Sequence, residues 1–399
     1  MQDSLIWTMN SSKVLIFAGG FQLLEGAEFT ITLPVVLAFL CFIGFVGNIF
    51  LTTVLVSDFR KGKSSIVNSL VINLCAADLL LILFCVPFRA VTYSRQYWNF
   101  GRFACKTTDW FLHSCLAAKS FTLTAIGEAR HKYVIKPPKF ITLHHRRLVG
   151  LLAIIWVFAF LLPVPHLVFS ALEEDNRGTF CVFEVPYYAS NFMNVFSKIY
   201  PLLAYVLPVS VTLGCYARIF CRNQPKRNRG ANPRQQSHKV TLMLMSVSLA
   251  FSVMMLPEWI AWIWARHSSP GGPQPPAVLV ILAQVILFLN STVNPCIFFA
   301  VSEEFRDGLS SLWGVLTCAH LRGKWSLRAP RTGENGAEMV TSTVQCLQDV
   351  ETIASPTASQ VSRDNTGKFL PDLEHFWSSR ETGSKAEDND PTPWESQDK

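Results

Sequence analysis

The sequence is poor in charged residues. Only 16% of its 399 residues are Asp, Glu, Lys or Arg, whereas 50% are hydrophobic. Soluble domains contain about 25% charged residues, so this composition argues against an ordinary soluble fold. The sequence also lacks the patterns of enzymes: it has no paired nucleophile and base, no run of metal ligands and no glycine-rich phosphate loop. It therefore predicts neither an enzyme nor a metal or cofactor site.

The hydrophobic residues are concentrated in long runs. A transmembrane helix needs about 20 predominantly apolar residues, and seven runs approach or exceed that length. One such run could be a buried core helix, but seven in succession, separated by short polar joints, predict an all-α membrane protein with a seven-transmembrane helix bundle over residues 29–300. The predicted spans are residues 29–56, 66–93, 104–132, 147–170, 192–221, 239–265 and 277–300.

The basic residues predict how the bundle is oriented. They gather in the first, third and fifth joints, as at Arg60, Arg146 and Arg147, whereas the fourth joint carries Glu173 and Glu174. Cytoplasmic loops are rich in Lys and Arg, so the odd-numbered joints are predicted to be cytoplasmic and the N-terminal tail, residues 1–28, extracellular. No basic start followed by a short apolar run indicates a cleavable signal peptide, and the first span is expected to act as an uncleaved signal.

The C-terminal segment has the opposite charge. Residues 330–399 hold 13 acidic and 6 basic residues, a net charge of −7, so the remainder of the chain carries +14. Basic residues at membrane-proximal joints indicate contact with anionic membrane lipid and argue against a nucleic-acid partner. Residues 301–318 predict a short amphipathic helix on the membrane surface, and residues 319–399 a disordered cytoplasmic tail.

Four residues predict three covalent modifications. Cys105 and Cys181 fall at the outer end of the third span and in the second outer loop, where an oxidising environment favours a disulfide. Asn10 begins an Asn-Ser-Ser glycosylation sequon on the outer tail. Cys318, just beyond the predicted surface helix, is a candidate for palmitoylation, with a free thiol as the alternative.

Several short motifs occur in a particular order along the spans. The first span contains GFVGN, the second NLCAAD, the sixth MMLPEW and the seventh NSTVNPCIFF, and Trp98-Asn-Phe-Gly precedes Cys105. Together they resemble the rhodopsin-like (class A) family of G-protein-coupled receptors over about residues 30–315. Within that family, DWFLHSCLAAKS, KIYPLLA and SEEFRDGL are similar to an orphan receptor related to the galanin receptors, and LPDLEHFW and DNDPTPWE extend the similarity into the tail.

The resemblance implies an orphan plasma-membrane receptor without a cofactor. Its expected partners are an extracellular peptide, a heterotrimeric G protein, arrestin and receptor kinases. Residues 277–300 contain no lysine to hold retinal, and Leu112 stands where amine receptors have an aspartate. A transporter would show inverted repeats, which the sequence lacks. The alternative is a non-signalling receptor-shaped scaffold or decoy with weak or no coupling.

The spacing from the family's fixed points predicts a ligand site in the outer half of the bundle. Charges of both signs together with aromatic rings suit a peptide, although any one of these residues could instead make a helix–helix contact. Glu258 is expected to face inward, either desolvated or paired with a cation such as Arg89, whereas Trp259 and Trp264 are expected to face lipid or its interface. The predicted ligand-binding residues are Arg89, Asp109, His113, Tyr200, Glu258, Trp262 and Gln284.

Lys119 is the first of four departures from the family's switch residues. It lies about 16 Å from the Arg130 end of its helix, so its ammonium needs a partner inside the protein. The family has a serine at this position, which helps the second-span aspartate to bind sodium. We expect Lys119 to pair with Asp78 and to replace that ion, with further hydrogen bonds from Asn290, Ser291 and Asn294. The alternative is a protonated Asp78 with Lys119 turned elsewhere.

The other departures are at the cytoplasmic side and in the sixth span. Arg130 lacks the acidic neighbour of the family, which predicts an arginine without its restraint; a solvated helix-end residue is the alternative. Met255 replaces a tryptophan, and Phe298 replaces a tyrosine whose hydroxyl would link to Tyr216 in the active state. A missing restraint favours high basal activity and missing active-state contacts favour weak coupling, and the sequence does not decide between them.

Overall fold

The computed structural model describes residues 15–17, 27–60, 65–135, 145–175, 178–222, 232–267, 273, 275–302 and 306. The predicted modifications at Asn10 and Cys318 and the predicted tail 319–399 lie outside these residues. Nearly all of the predicted surface helix, residues 301–318, also lies outside them.

Helices dominate the described part of the chain and cover all seven predicted spans. Most helices begin and end within a few residues of the predicted limits, and the second, fourth and fifth spans are each divided into consecutive segments. The helices are α1 (Ala27–Arg60), α2 (Ile66–Phe84), α3 (Val86–Arg95), α4 (Gly101–Ile135), α5 (His145–Leu161), α6 (Val164–Phe169), α7 (Ser190–Pro201), α8 (Leu207–Arg222), α9 (Asn232–His267) and α10 (Ala277–Val301).

The divisions occur beside prolines. Pro87 follows the turn between α2 and α3, and Pro201 ends α7. Pro163 lies between α5 and α6, and Pro165 lies within α6. A π-helical turn, Leu202–Val206, then joins α7 to α8. Proline has no amide hydrogen and its ring clashes with the preceding turn, so a helix bends or changes its hydrogen-bond pattern at these positions.

Helix α4, which forms the third span, is the most polar of the seven spans. Six of the helical spans in the described residues are long and apolar enough to cross a membrane. The third span, α4, is 35 residues long, but Asp109, His113 and Lys119 lower its mean hydropathy. It packs against α2, α5, α8 and α9, and these three side chains are buried against other helices. The helix at the centre of the bundle can therefore be polar because its polar groups do not face lipid.

A small antiparallel sheet accompanies the helices and was not predicted. Its strands are β1 (Leu15–Phe17), β2 (Ser170–Asp175) and β3 (Gly178–Glu184), in the order β1-β3-β2. Leu172 of β2 pairs with Cys181 of β3. The sequence GTFCVFE of β3 is rich in β-branched and aromatic residues, which favours a strand. The segment is short and lies between two spans, so the sequence predicted only a loop there.

The predicted disulfide between Cys105 and Cys181 is confirmed. It ties β3 to the beginning of α4, and both sulfurs lie in a cluster with the buried Trp98. The backbone amide of Trp98 also donates to the carbonyl of Thr179, at 2.7 Å. The sheet is thus anchored to this end of the bundle by a covalent bond, by packing and by a hydrogen bond.

Replacing Cys181 with Ser is expected to lower the free energy of unfolding. The disulfide joins residues 76 positions apart, and loss of a native disulfide typically costs about 2–5 kcal/mol. The measurement is the thermal unfolding temperature of the purified full-length protein in detergent. Cys221→Ser, at an exposed free cysteine, is the matched control. Equal unfolding temperatures for the Cys181 variant and the wild type would contradict the expectation.

Candidate ligand pocket and switch residues

We call the half of the bundle that carries the Cys105–Cys181 disulfide the disulfide end, and the half that carries Arg130 the arginine end. At the disulfide end, Arg89 of α3 forms a buried ion pair with Asp109 of α4. Arg89 also interacts electrostatically with Glu258 of α9. Three helices therefore bring together three charges that are distant in the sequence.

A second contact closes the same region from the side of α10. The hydroxyl of Tyr93 donates a hydrogen bond to Gln284 Oε1 at 2.6 Å, and both side chains are buried. Tyr93 follows Arg89 by four residues and therefore lies on the same face of α3. Gln284 thus lies beside the charged cluster, and its role in ligand binding stays a prediction.

Aromatic rings form the adjoining wall. His113 of α4 stacks on His166 of α6 with 4.2 Å between the ring centroids. The ring centroid of Tyr200 lies 5.8 Å from that of His113 and 5.6 Å from that of Trp262. The seven residues predicted from the sequence therefore gather at one end of the bundle, in a charged group and an aromatic group linked by the electrostatic interaction of His113 with Arg89.

Glu258 differs from the other acid of this group. Asp109 is in direct contact with Arg89, whereas no ion pair to Glu258 is found among the described residues. Its Oε2 atom is buried and has no hydrogen-bond partner in that part of the chain. Trp262 Nε1 is likewise a buried donor without an acceptor there. The site therefore presents both an acceptor and a donor.

Sequence reasoning was wrong about Trp259 and missed two further residues. Trp259 was expected to face lipid, but only 6% of it is exposed, and its ring packs on Tyr200 at 5.4 Å. His166 was overlooked although an imidazole in an apolar span was a usable signal. Arg266 was overlooked as well: its guanidinium lies 3.8 Å from the ring centroid of Phe183. Trp264 is 38% exposed, in keeping with an interface position.

The middle of the bundle holds a second buried ion pair. Lys119 Nζ lies 2.5 Å from Asp78 Oδ1, and the two side chains are 1% and 0% exposed. The ammonium also donates to Asn290 Oδ1 at 2.6 Å, and Asn294 Nδ2 donates to Asp78 Oδ2 at 2.8 Å. Both charges are thus compensated and hydrogen-bonded, which is the condition for burying them.

The junction of α1 with α10 explains part of the GFVGN motif. Asn48 Nδ2 donates to the carbonyls of Gly44 and Ser291 at 2.8 and 2.9 Å. A Cβ on Gly47 would lie 2.9 Å from Cβ of Pro295, so only glycine lets the two helices approach this closely. The motif therefore fixes α1 beside the segment of α10 that carries Asn290 and Asn294.

At the arginine end, the prediction that Arg130 lacks a restraint is wrong. Its side chain is buried, with 2% exposure, so the solvated alternative is wrong as well. Arg130 NH2 donates to the carbonyl of Ser237 and to Thr241 Oγ1, both at 2.9 Å. We call this contact between α4 and α9 the arginine latch. Glu128 does not take part, because it pairs with Lys132.

The remaining predicted switch residues lie in the packed interior. Met255 of α9 is 1% exposed, Tyr216 of α8 is 1% exposed and Phe298 of α10 is fully buried. Tyr216 interacts electrostatically with Arg130. The departures from the family therefore fall at helix–helix contacts, where side-chain size and polarity affect how the helices can move.

These features define a membrane receptor built as a bundle of seven helical spans, with a buried polar and aromatic cluster at one end and an interhelical arginine contact at the other. The chain belongs to the rhodopsin family of seven-transmembrane receptors: the family model described as "7 transmembrane receptor (rhodopsin family)" matches residues 47–298. The resemblance seen in the sequence is thereby confirmed.

Among curated proteins, the chain is similar to "G-protein coupled receptor 151" of Homo sapiens, with 36% identity over 99% of this chain and 96% of that protein. It is also 36% identical to "G-protein coupled receptor 151 protein" of Mus musculus, over 97% of this chain and 94% of that protein. "Galanin receptor type 2" of Rattus norvegicus is 28% identical over 82% of this chain and 88% of its own length.

Proposed function

We propose that the protein is a plasma-membrane receptor, with its N-terminus outside, that binds an extracellular peptide at the disulfide end and activates a heterotrimeric G protein at the arginine end. The names of its relatives support both halves of this proposal: some are named G-protein coupled receptors and others galanin receptors. The positive residues of the odd-numbered joints support the orientation.

The polar and aromatic cluster at the disulfide end supports a peptide ligand. It combines the Arg89–Asp109 pair, the carboxylate of Glu258, whose buried Oε2 has no hydrogen-bond partner among the described residues, and a wall of His113, Tyr200 and Trp262. A peptide offers backbone donors and acceptors, charged groups and rings, which match these three kinds of surface. This arrangement is the observation that carries the proposal.

The arginine latch supports the signalling step. It holds the beginning of α9 against α4 and so closes the bundle at the arginine end. A ligand that stabilises an arrangement with α9 moved outward would shift the population toward an open cleft. In that cleft Arg130 is released from Ser237 and Thr241 and contacts the G protein. Three further partners are proposed. Arrestin and receptor kinases act at the C-terminal tail, and membrane lipid is contacted next to Cys318.

Arg130→Ala is expected to abolish ligand-independent G-protein activation in cells at matched surface expression. The reason is that the open state loses the residue that contacts the G protein. The measurement is G-protein dissociation by resonance energy transfer, with Arg146→Ala, an exposed arginine of α5, as the control. A wild-type basal signal above that of untransfected cells that persists unchanged in Arg130→Ala would contradict the proposed role of Arg130.

A further inference from the structure

The inner face of α9 carries a column of three residues with opposite charges at its two ends. Glu258, Trp262 and Arg266 follow one another at intervals of four residues, so they lie on adjoining parts of one helix face. The rise from Glu258 to Arg266 is about 12 Å. We call these three residues the α9 column.

Within the described residues, the two charges of the column have no direct ion-pair partners. Arg89 and Asp109 are already in contact with each other. Glu258 interacts electrostatically with both of them, but no ion pair to it or to Arg266 is found among the described residues. Arg266 rests instead on the rings of Phe183 and Trp262, at 3.8 and 5.2 Å from their centroids.

The middle of the column is an unsatisfied donor in an aromatic wall. Trp262 is 8% exposed and its Nε1 has no acceptor in the described part of the chain. Its ring packs against Tyr200 and His166, at 5.6 and 6.1 Å. A buried polar group without a partner is costly, so an occupant that supplies an acceptor here is favoured.

We infer that the α9 column binds a dipolar peptide segment, an inference that rests on the proposed function. A cationic nitrogen group of the ligand contacts Glu258, a carboxylate contacts Arg266, and a carbonyl between them accepts the hydrogen bond of Trp262 Nε1. An extended chain advances about 3.3–3.6 Å per residue, so the two ligand charges lie about three to four residues apart. The cation enters deepest, and the acid remains nearer Phe183 of β3.

The test uses a synthetic probe whose only charges are on its side chains, acetyl-Arg-Ala-Phe-Ala-Asp-amide. Three further probes are used. The first has citrulline in place of arginine, the second has asparagine in place of aspartate, and the third has citrulline in place of arginine and a free N-terminal amine in place of the acetyl group. The last distinguishes an N-terminal ammonium from a side-chain cation. The readout is the rise in unfolding temperature of the full-length receptor in lipid nanodiscs as each probe is titrated to about 10 mM, from which affinity follows by linkage.

The wild type is expected to bind the arginine probe about tenfold more tightly than the citrulline probe, the effect of one charge-assisted hydrogen bond. Glu258→Gln, which keeps the side-chain shape, is expected to remove this difference but not the difference between aspartate and asparagine probes. Arg266→Gln is expected to do the reverse. Glu174→Gln, an exposed acid of β2, is the control and should change neither ratio.

Equal affinity of the wild type for arginine and citrulline probes would overturn the inference. So would a difference that persists in Glu258→Gln, or the absence of saturable stabilisation by every probe. Because each ratio compares two probes on one receptor variant, a less stable variant still reports its own ratio, and the wild-type ratio needs no variant. The assay contains no G protein, so its failure is distinct from a failure of the basal-signal test with Arg130→Ala.

Discussion

Lys119→Met and Asp78→Asn are each expected to remove most of the receptor from the cell surface. Each substitution leaves one buried ion without its partner, and such a change costs about 3–5 kcal/mol, a large part of a typical stability of about 5–15 kcal/mol. Both side chains are almost completely buried, so water cannot compensate the remaining charge. The measurement is surface abundance of an epitope-tagged receptor, together with its unfolding temperature after purification.

Two double variants distinguish the effect of the ion pair from the effect of each single substitution. The charge-swapped receptor, Asp78→Lys with Lys119→Asp, and the neutral receptor, Asp78→Asn with Lys119→Met, are both expected to recover surface abundance. Lys132→Met is the matched control, because its pair with Glu128 is about half exposed and such pairs contribute about 1 kcal/mol or less. Absence of rescue in both double variants would count against direct pairing. The replacement of sodium by the Lys119 ammonium stays a prediction.

Thr241→Val is expected to raise ligand-independent G-protein activation. The substitution keeps the shape of the side chain and deletes the hydroxyl that accepts from Arg130. A hydrogen bond to a charged group contributes about 1.5–3 kcal/mol, so the ratio of open to closed receptor should rise about tenfold or more. Basal G-protein dissociation at matched surface expression measures this rise.

Two conservative variants that keep the hydrogen bonds of the arginine latch serve as controls. Ser237→Ala should leave the basal signal close to that of the wild type, because Ser237 contributes its backbone carbonyl. Thr241→Ser should also behave like the wild type, because it keeps the hydroxyl. If Thr241→Val gave no more basal signal than Thr241→Ser, the latch would not restrain activation.

The arginine latch also explains why the sequence misled at Arg130. The absent acidic neighbour predicted an arginine without a restraint, since an acid is the partner that the family's motif supplies. In the structure a backbone carbonyl and a threonine of α9 accept the hydrogen bonds instead. A carbonyl is present at every residue, so no sequence pattern shows which one lies within reach.

The number of helical spans, their approximate positions and the disulfide could be predicted from the sequence itself. Apolar run length follows from the thickness of the bilayer, so spans such as 277–300 could be read directly. Cys105 and Cys181 were recognisable because both were assigned to an oxidising surface. Lys119 was recognisable as an ion that needs a partner, because a charge in a membrane cannot remain uncompensated.

The tertiary structure alone decided which side chains meet. The direction in which Trp259 points depends on how α9 is rotated, and the aromatic wall depends on the packing of α4, α6 and α9. His113 and His166 stack although they are 53 residues apart in the sequence. Local composition sets where a helix forms because its backbone hydrogen bonds are local, but rotation and contacts are set by the neighbouring helices, and these appear only when the bundle is assembled.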